Sequence, residues 1–575
     1  MYTLRNKLTS VPQTRINKRA YGFFVLVIFL FLLAPLRFLA LGRFVTADEP
    51  TWGKRSANFY YALSHGDYAS TYQTGHPGVT TMWVGATAYL FKFPEYRQVG
   101  KTSLGDNKVI QIFNRHGVIP LEILVTARFI TAVVIAFTLL ISFFCARHLF
   151  GTLPSLLGFI LITFDPFHLA HSRVFHTNGL VSSFMFLSVL AYLCYFKKRS
   201  LYFLIISGIA AGLSILTVTP GLILALVISI LAIIDLIFNI RESRKFEIKK
   251  LLQKVVLPMI MWGCVCLVVI FLLWPALWVN PVGTVTGITS HALISAKGVL
   301  DNGETTNLIN TFKKLDFENF IFYPKTYLWR GTPIVMAGVI LSILALAMKK
   351  QKFFTPEERK NLVELLIYVV SYTIIMGFGT KKFDRYLLPI YLPLDLIAGV
   401  GWISAGKWLS RRNERLQHIY FTYVIISLVA AAQIIGIVKE YPYYLTYYNP
   451  MMGGTHKASE ELVIGWGEGL NEAALYLKGK TGIKEKKIKA WYLLAFNWYS
   501  IGLGYEAEPI YIDHEIGDEL LENYLASDYL VVYVNQWQRN MPKQLMIRLE
   551  SLTPEHTIWI KDTEYVRIYN LDGCH

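Results

Sequence analysis

Two adjacent carboxylates, Asp48 and Glu49 in the stretch Val45-Thr46-Ala47-Asp48-Glu49-Pro50, follow directly on an apolar run over residues 22–42. That run is about 20 residues long, the length at which a helix crosses the hydrocarbon core. The acids therefore stand where the chain leaves the bilayer. Charged groups at a membrane boundary are costly to desolvate, and a carboxylate there suits the task of taking the proton of an acceptor hydroxyl. The plainer role is a helix cap, since Asp before a Pro at the first helical position is an ordinary N-terminus. Cations bear on the choice. Arg128, Arg173, Lys381, Lys382 and Arg385 lie at the outer ends of apolar segments, where basic residues are otherwise scarce. Any one of them snorkels to a headgroup without further meaning; several on the side of an acidic pair fit the phosphate of a lipid. A carboxylate on the acceptor and cations on a departing phosphate describe transfer of a sugar from polyprenyl-phosphate to a hydroxyl, by single displacement with inversion at the anomeric carbon.

The elements that must position these groups are membrane helices. Of 575 residues 54% are hydrophobic and only 17% charged, and the apolar runs are too long for strands or ordinary core helices. Spans are expected at 22–42, 122–146, 152–170, 177–196, 201–218, 220–239, 255–275, 327–348, 362–379, 386–404 and 418–438, about eleven in all. The net charge of +17 falls largely in short loops between them, so the basicity reports topology and not nucleic acid. Arg5, Lys7, Arg15, Lys18 and Arg19 place residues 1–21 in the cytoplasm. The loops at 43–121 and 276–326, with the acidic pair, are then extracytoplasmic. The run at 22–42 exceeds a signal-peptide core and no small-residue cleavage site follows, so it reads as a retained helix. Four of the five cysteines lie in or at the ends of expected spans, without disulfide or zinc spacing.

Within the first outer loop, residues 51–65 read as an amphipathic helix lying in the interface, with Phe59, Tyr60 and Leu63 on its apolar side. A break at Gly75-His76-Pro77-Gly78 leads to a second short apolar helix, interfacial or re-entrant. In the second loop, His291 and the segment 301–306 are assigned no role. A Tyr-rich exit at 440–454 opens a C-terminal part, 441–575, that reads as a small extracytoplasmic α/β domain: a helix at NEAALYLKGK, a strand at DYLVVYVNQW and a hairpin at HTIWIKDTEYVRIYNL. Gly465-Trp466-Gly467-Glu468-Gly469 precedes the helix but follows no strand and lacks a Lys-Ser/Thr pair, so it is no nucleotide loop. Glu468 is at most a sugar contact.

The fold class is thus mainly α, a polytopic membrane protein with a small C-terminal α/β domain. Asp48 is expected as general base and Glu49 as the partner that orients base or substrate. Arg128, Arg173, Lys382 and Arg385 are expected on the donor phosphate, with His76 and Asp165 as lesser substrate contacts. Membrane lipids are partners, nucleic acid is not, and no cofactor is required. Asp48, Glu49, Asp165 and His76 are potential metal ligands, yet no spacing demands a metal. Three other readings stay open: a transporter or flippase, although no inverted repeat is visible; a non-catalytic subunit binding lipid-linked sugars; and a metal-dependent oligosaccharyltransferase or polymerase.

The order of basic N-terminus, span, Asp48-Glu49, amphipathic helix, Gly66-Asp67-Tyr68 and His76-Pro77-Gly78 resembles the protein O-mannosyltransferase and lipid A aminoarabinose transferase group (glycosyltransferase family 39-like). The resemblance continues in Ala127-Arg128-Phe129, His171-Ser172-Arg173, Leu216-Thr217 with Pro220-Gly221, and Lys382-Phe383-Asp384-Arg385-Tyr386, and covers roughly residues 20–405. The stretch from 441 through GWGEGLNEAALYL is similar to bacterial and archaeal members of the same group. It implies the C-type (GT-C) glycosyltransferase fold, a mannosyltransferase-like activity with a polyprenyl-phosphate sugar as donor, and a protein, lipid or glycan acceptor. In that group the Asp of the Asp-Glu pair is the expected base, which falls on Asp48. Asn178, Val218 and His76 stand where members often carry an acid, a Lys and a Lys.

Overall fold

The structure is a computed structural model that describes residues 35–101, 104–243, 251–297, 317–348, 353–379, 382–412, 418–511, 513 and 515–571. Among them, seven helices are long and apolar enough to cross a membrane: Pro120–Phe150, Thr177–Lys198, Thr219–Ile237, Leu252–Leu273, Pro356–Gly377, Asp384–Ser410 and Phe421–Val438. A bent pair, Phe320–Arg330 with Pro333–Ala347 at 117°, makes eight when counted as one span. Leu257, Ile260, Leu267, Val268, Phe271 and Leu272 are exposed on one of these helices, and Leu428 and Ile435 on the last. Apolar faces of that extent, bare of protein, belong against lipid. The chain is a multi-pass membrane protein.

The expected eleven spans are not reached among the described residues, and local chemistry explains where the readings part. Only Pro35 onward of the run at 22–42 is described. The span expected at 152–170 is two helices, Thr152–Thr163 and Pro166–His171. Asp165 ends the first and caps the second, accepting from the His168 N–H at 2.7 Å, with Pro166 in the first turn where its missing N–H costs nothing. Thr332-Pro333 breaks the span expected at 327–348 in the same way, the Thr332 hydroxyl taking the Val335 N–H at 3.4 Å. Leu201–Thr217 is one apolar helix of 17 residues, short for a span.

Thr177–Lys198 is the central element, buried along its whole apolar stretch and packed between Pro120–Phe150 and Leu201–Thr217. Its serines pay for that position with hydrogen bonds: Ser188 donates to the Ser207 carbonyl at 3.0 Å, which a hydroxyl away from water requires. Tyr391–Arg412 meets Thr152–Thr163 and Pro333–Ala347 backbone to backbone, because a Cβ at Gly399 would overlap Gly158 and one at Gly401 would overlap the Gly338 carbonyl. Small residues at such crossings let membrane helices close up. At the end of Thr177–Lys198 away from the acidic pair, Arg199 and Lys360 both bind Asp235.

Helix Glu49–Ser64 matches the expected amphipathic helix to within two residues at its start and one at its end, and its apolar side faces protein. Trp52, Ser56, Ala57, Asn58, Phe59, Tyr60 and Ala62 are all buried, under Val79–Lys92 and the C-terminal domain, whose Trp498 lies against Gly53. The C-terminal part holds a five-stranded sheet of order β2-β1-β3-β5-β4, with β1 Ile488–Ala490, β2 Glu508–Pro509, β3 Tyr529–Tyr533, β4 His556–Ile560 and β5 Thr563–Asn570. β1 runs parallel to β2 and β3, while β5 is antiparallel to β3 and β4. The strand read at DYLVVYVNQW stops at Tyr533, where Val534–Arg539 turns into a helix; β1 and β2, three and two residues long, are too short to show a period of two.

Candidate active site

Asp48 precedes helix Glu49–Ser64 but makes no capping hydrogen bond with its side chain. Glu49 does the local work, its Oε2 accepting from the Thr46 N–H and Oγ1, both at 2.9 Å. The two neighbours consequently point to different surroundings. Glu49 is fully buried; its carboxylate accepts from Arg128 Nε at 2.6 Å, from Arg128 Nη2, and from the Phe175 N–H at 2.7 Å. Asp48 keeps 41% of its side chain exposed, with Oδ2 at 3.2 Å from Arg385 Nη2 and 3.5 Å from His176 Nε2. The plain reading of Asp48 as a helix cap fails on this geometry.

Each partner of Asp48 is held by its own element. His176 is the residue before helix Thr177–Lys198, and its Nδ1 accepts the Asn178 N–H at 3.4 Å. That bond leaves the proton on Nε2, aimed at Asp48. Burial pushes the His176 imidazolium down against the opposing pull of Asp48, so the ring donates as a neutral group. Arg385 stands in a 3₁₀ turn, Asp384–Ile390, with its guanidinium 4.0 Å from the Phe383 ring and 4.6 Å from the Trp466 ring. Arg385 Nε has no partner among the described residues. Burial alone raises the Asp48 carboxyl, but the His176 hydrogen bond and the Arg385 charge outweigh it and hold the group well below the ordinary carboxylate range. Asp48 is an anion at neutral pH.

Behind Arg385, Arg330 at the end of helix Phe317–Arg330 binds Asp384 Oδ2 through Nε at 2.9 Å and Nη2 at 2.7 Å. Its Nη1 donates to the Leu445 and Tyr447 carbonyls at 2.6 and 2.9 Å, and the Tyr448 ring lies 3.9 Å away. Asp384 Oδ1 in turn accepts the Arg385 N–H at 2.7 Å. One buried guanidinium thus joins the bend in the bundle, the Arg385 turn and the Tyr-rich exit.

Asp48, Lys382 and Arg385 line one cavity of about 480 Å³, with Arg330 and Lys325 on the membrane-domain side and Trp466, Tyr492, Asn535 and Arg539 on the C-terminal side. Lys382 Nζ donates to the Gly377 carbonyl at 2.9 Å. Of the expected site residues, these three are brought together and Glu49 lies directly behind them. Four are not. Arg128 is engaged by Glu49 and the Leu41 carbonyl. Arg173 donates to the Leu39 carbonyl and lies under the Tyr444 ring at 4.9 Å. Both border a separate, smaller cavity. His76 packs edge-on to His291 at 4.5 Å, and Asp165 is a buried helix cap. Glu468, read as a sugar contact, borders the same cavity but is 2% exposed, with Oε2 taken by the Trp466 N–H and the Tyr533 hydroxyl. Lys381 and the segment 301–306 lie outside the described residues.

His176, Arg330 and Trp466 escaped the sequence reading. His176 carries a usable signal, a His three residues from Arg173 at the same end of an apolar helix. Trp466 sits in a Gly-rich turn tested only as a nucleotide loop. Among the described residues no three His, Cys, Asp or Glu side chains are grouped to hold a metal ion; the neighbours of Asp48 are a cation and a hydrogen-bond donor.

No protein-family model matches the chain, and no curated protein does. Among solved structures, ArnT from Cupriavidus metallidurans bound to undecaprenyl phosphate is similar over 96% of this chain and 98% of that one, at 12% identity and a TM-score of 0.43. The archaeal oligosaccharyltransferase AglB from Archaeoglobus fulgidus, in complex with an inhibitory peptide and a dolichol-phosphate, is similar over 90% of this chain and 70% of that one, at 13% identity and a TM-score of 0.41.

Proposed function

We propose that the chain is a glycosyltransferase that moves a sugar from a polyprenyl-phosphate donor to an acceptor hydroxyl at the extracytoplasmic face of the membrane. One observation carries this reading. Asp48 and Arg385, 337 residues apart in sequence, meet at 3.2 Å on the wall of a shared cavity, so that a carboxylate for the acceptor and a cation for the leaving group stand within reach of one substrate.

The acceptor oxygen attacks the anomeric carbon and gives its proton to Asp48. The bond from that carbon to the phosphate oxygen breaks on the opposite face, its electron pair staying on the phosphate. Arg385 and Lys382 meet the charge that grows there. The configuration inverts, and Asp48 returns its proton to water. A carboxylate held well below its ordinary range is a poor base, so the Asp48–Arg385 pair is the resting arrangement. Arg385 turns to the incoming phosphate, its unused Nε available for it, and Asp48 regains basicity as the donor binds. Neutral His176 keeps the carboxylate aimed.

The test is transfer of radiolabelled sugar from polyprenyl-phosphate donors in membranes, comparing wild type with Asp48→Asn at matched expression, with and without EDTA. The Asn variant is expected to lose roughly 10²–10⁴ in rate while EDTA leaves wild type unchanged. A fully active Asn variant sinks the assignment of Asp48. Loss with EDTA moves the protein to the metal-dependent class.

A further inference from the structure

The turn Gly465-Trp466-Gly467-Glu468-Gly469 belongs to the C-terminal domain, yet it lies against the loop that carries Asp48. The Ala47 N–H donates to the Trp466 carbonyl at 2.9 Å. Gly467 has φ +126°, and a Cβ there would overlap the Val45 carbonyl. Only glycine supports both the conformation and the approach. The indole of Trp466 touches both partners of Asp48, with Arg385 over its ring and His176 edge-on at 5.2 Å.

The turn is itself held from within its domain. Tyr533, at the end of β3 and fully buried, accepts the Gly467 N–H at 2.8 Å on its hydroxyl and donates to Glu468 Oε2 at 3.0 Å. The same Oε2 accepts the Trp466 N–H at 2.6 Å. A buried carboxylate oxygen costs free energy unless it is hydrogen-bonded, and Oε2 of this one is held by the turn and by the sheet. Glu468 and Tyr533 therefore tie the Asp48 loop to the sheet through two residues, Trp466 and Gly467.

We infer that the Gly465–Gly469 turn, fastened by Glu468 and Tyr533, is the positioning element of the base: the C-terminal domain sets the place of the Asp48 carboxylate and packs Trp466 against Arg385 and His176. This rests on the reading of Asp48 as base, but the clamp has its own readout. Misplacing a base by about 1 Å costs on the order of 100-fold in rate, so Gly467→Ala is expected to lower kcat about 100-fold with the donor KM within twofold of wild type. Tyr533→Phe, which removes only a hydroxyl, is the milder second variant should Gly467→Ala not fold. Glu468→Ala follows Gly467→Ala, and Glu468→Gln, which keeps an acceptor oxygen, restores kcat to within a few-fold. Hydrogen exchange on the full chain is measured beside the kinetics. In Gly467→Ala and Tyr533→Phe the Ala47 amide exchanges faster, while amides in the Glu49–Ser64 helix stay protected. An unchanged Ala47 amide in both variants, or a loss confined to KM, overturns the clamp. A wild-type protein that transfers no sugar but shows the Ala47 response sinks the transferase reading and leaves the clamp standing.

Discussion

The two sides of the Asp48-Glu49 turn are built to opposite rules. On the rear side Glu49 and Arg128 are 0% and 3% exposed in their side chains, and the Glu49 carboxylate accepts from four different groups. On the front side Asp48 is 41% exposed, Arg385 and His176 stand 3.2 and 3.5 Å from its Oδ2, and Arg385 Nε is unused among the described residues. A saturated buried pair has no capacity left for a substrate. A partly satisfied one, open to a cavity, does. Adjacent residues of the same chemical type thus divide into scaffold and chemistry, and the division follows from which side of one turn each faces.

The largest expected effect breaks the rear side. Glu49→Ala leaves Arg128 buried without its counter-charge, a situation that costs about 3–5 kcal/mol. Thermal unfolding in detergent should show that loss, and activity should disappear with the fold. Asp48→Asn, one residue away, is expected to unfold at the wild-type temperature within a degree or two. Equal destabilisation of the two variants would erase the distinction between the sides.

On the front side, Arg385→Gln removes the cation proposed to meet the leaving phosphate and is expected to lower kcat by about 10²–10³. It also shifts the pH profile in a fixed direction. Asp48 acts as a base only when ionised, and in wild type the His176 hydrogen bond and the Arg385 charge keep it ionised below the usual carboxylate range. The acid limb of kcat/KM for the wild-type protein should therefore fall below about pH 4, where an ordinary Asp titrates. Without Arg385 the burial that raises the carboxyl is less opposed, though His176 and Trp466 still face it, and the limb moves to higher pH. A limb that stays in place separates Asp48 from the titrating group. Lys382→Met is the gentler companion: loss of a second cation on the growing charge should lower kcat roughly tenfold.

What was legible in the sequence divides along the same line. The Asp48-Glu49 pair and the Lys382 to Tyr386 stretch were visible because each carries charge where an apolar chain has little, and they do meet at one cavity. Their apportioning was not visible. Arginines at helix ends look alike in sequence, and only the fold shows that Arg128 is neutralised by Glu49 while Arg385 faces Asp48. Hydropathy found the straight helices and overran the broken ones, because an averaged window passes over Asp165-Pro166 and Thr332-Pro333, where a cap and a proline end the helix within an apolar run. Trp466 was unreadable for a different reason. It reaches Asp48 through a domain more than 400 residues further along the chain, and nothing local to Gly465–Gly469 announces that approach.

The smallest expected effect sharpens the comparison most, because it concerns a cation that sequence alone places on the donor. Arg173 is 6% exposed; its guanidinium donates to the Leu39 carbonyl and lies 4.9 Å from the Tyr444 ring centroid. It borders the small rear cavity with Arg128 and does not line the one that holds Asp48. A partly desolvated cation over an aromatic ring contributes about 1–2 kcal/mol, so Arg173→Gln should lower stability by about that amount. Transfer by the folded protein should stay within twofold of wild type, with the donor KM unchanged. If the donor KM rises with stability intact, a phosphate reaches the rear side, and the Asp48-Glu49 turn then carries chemistry on both of its faces.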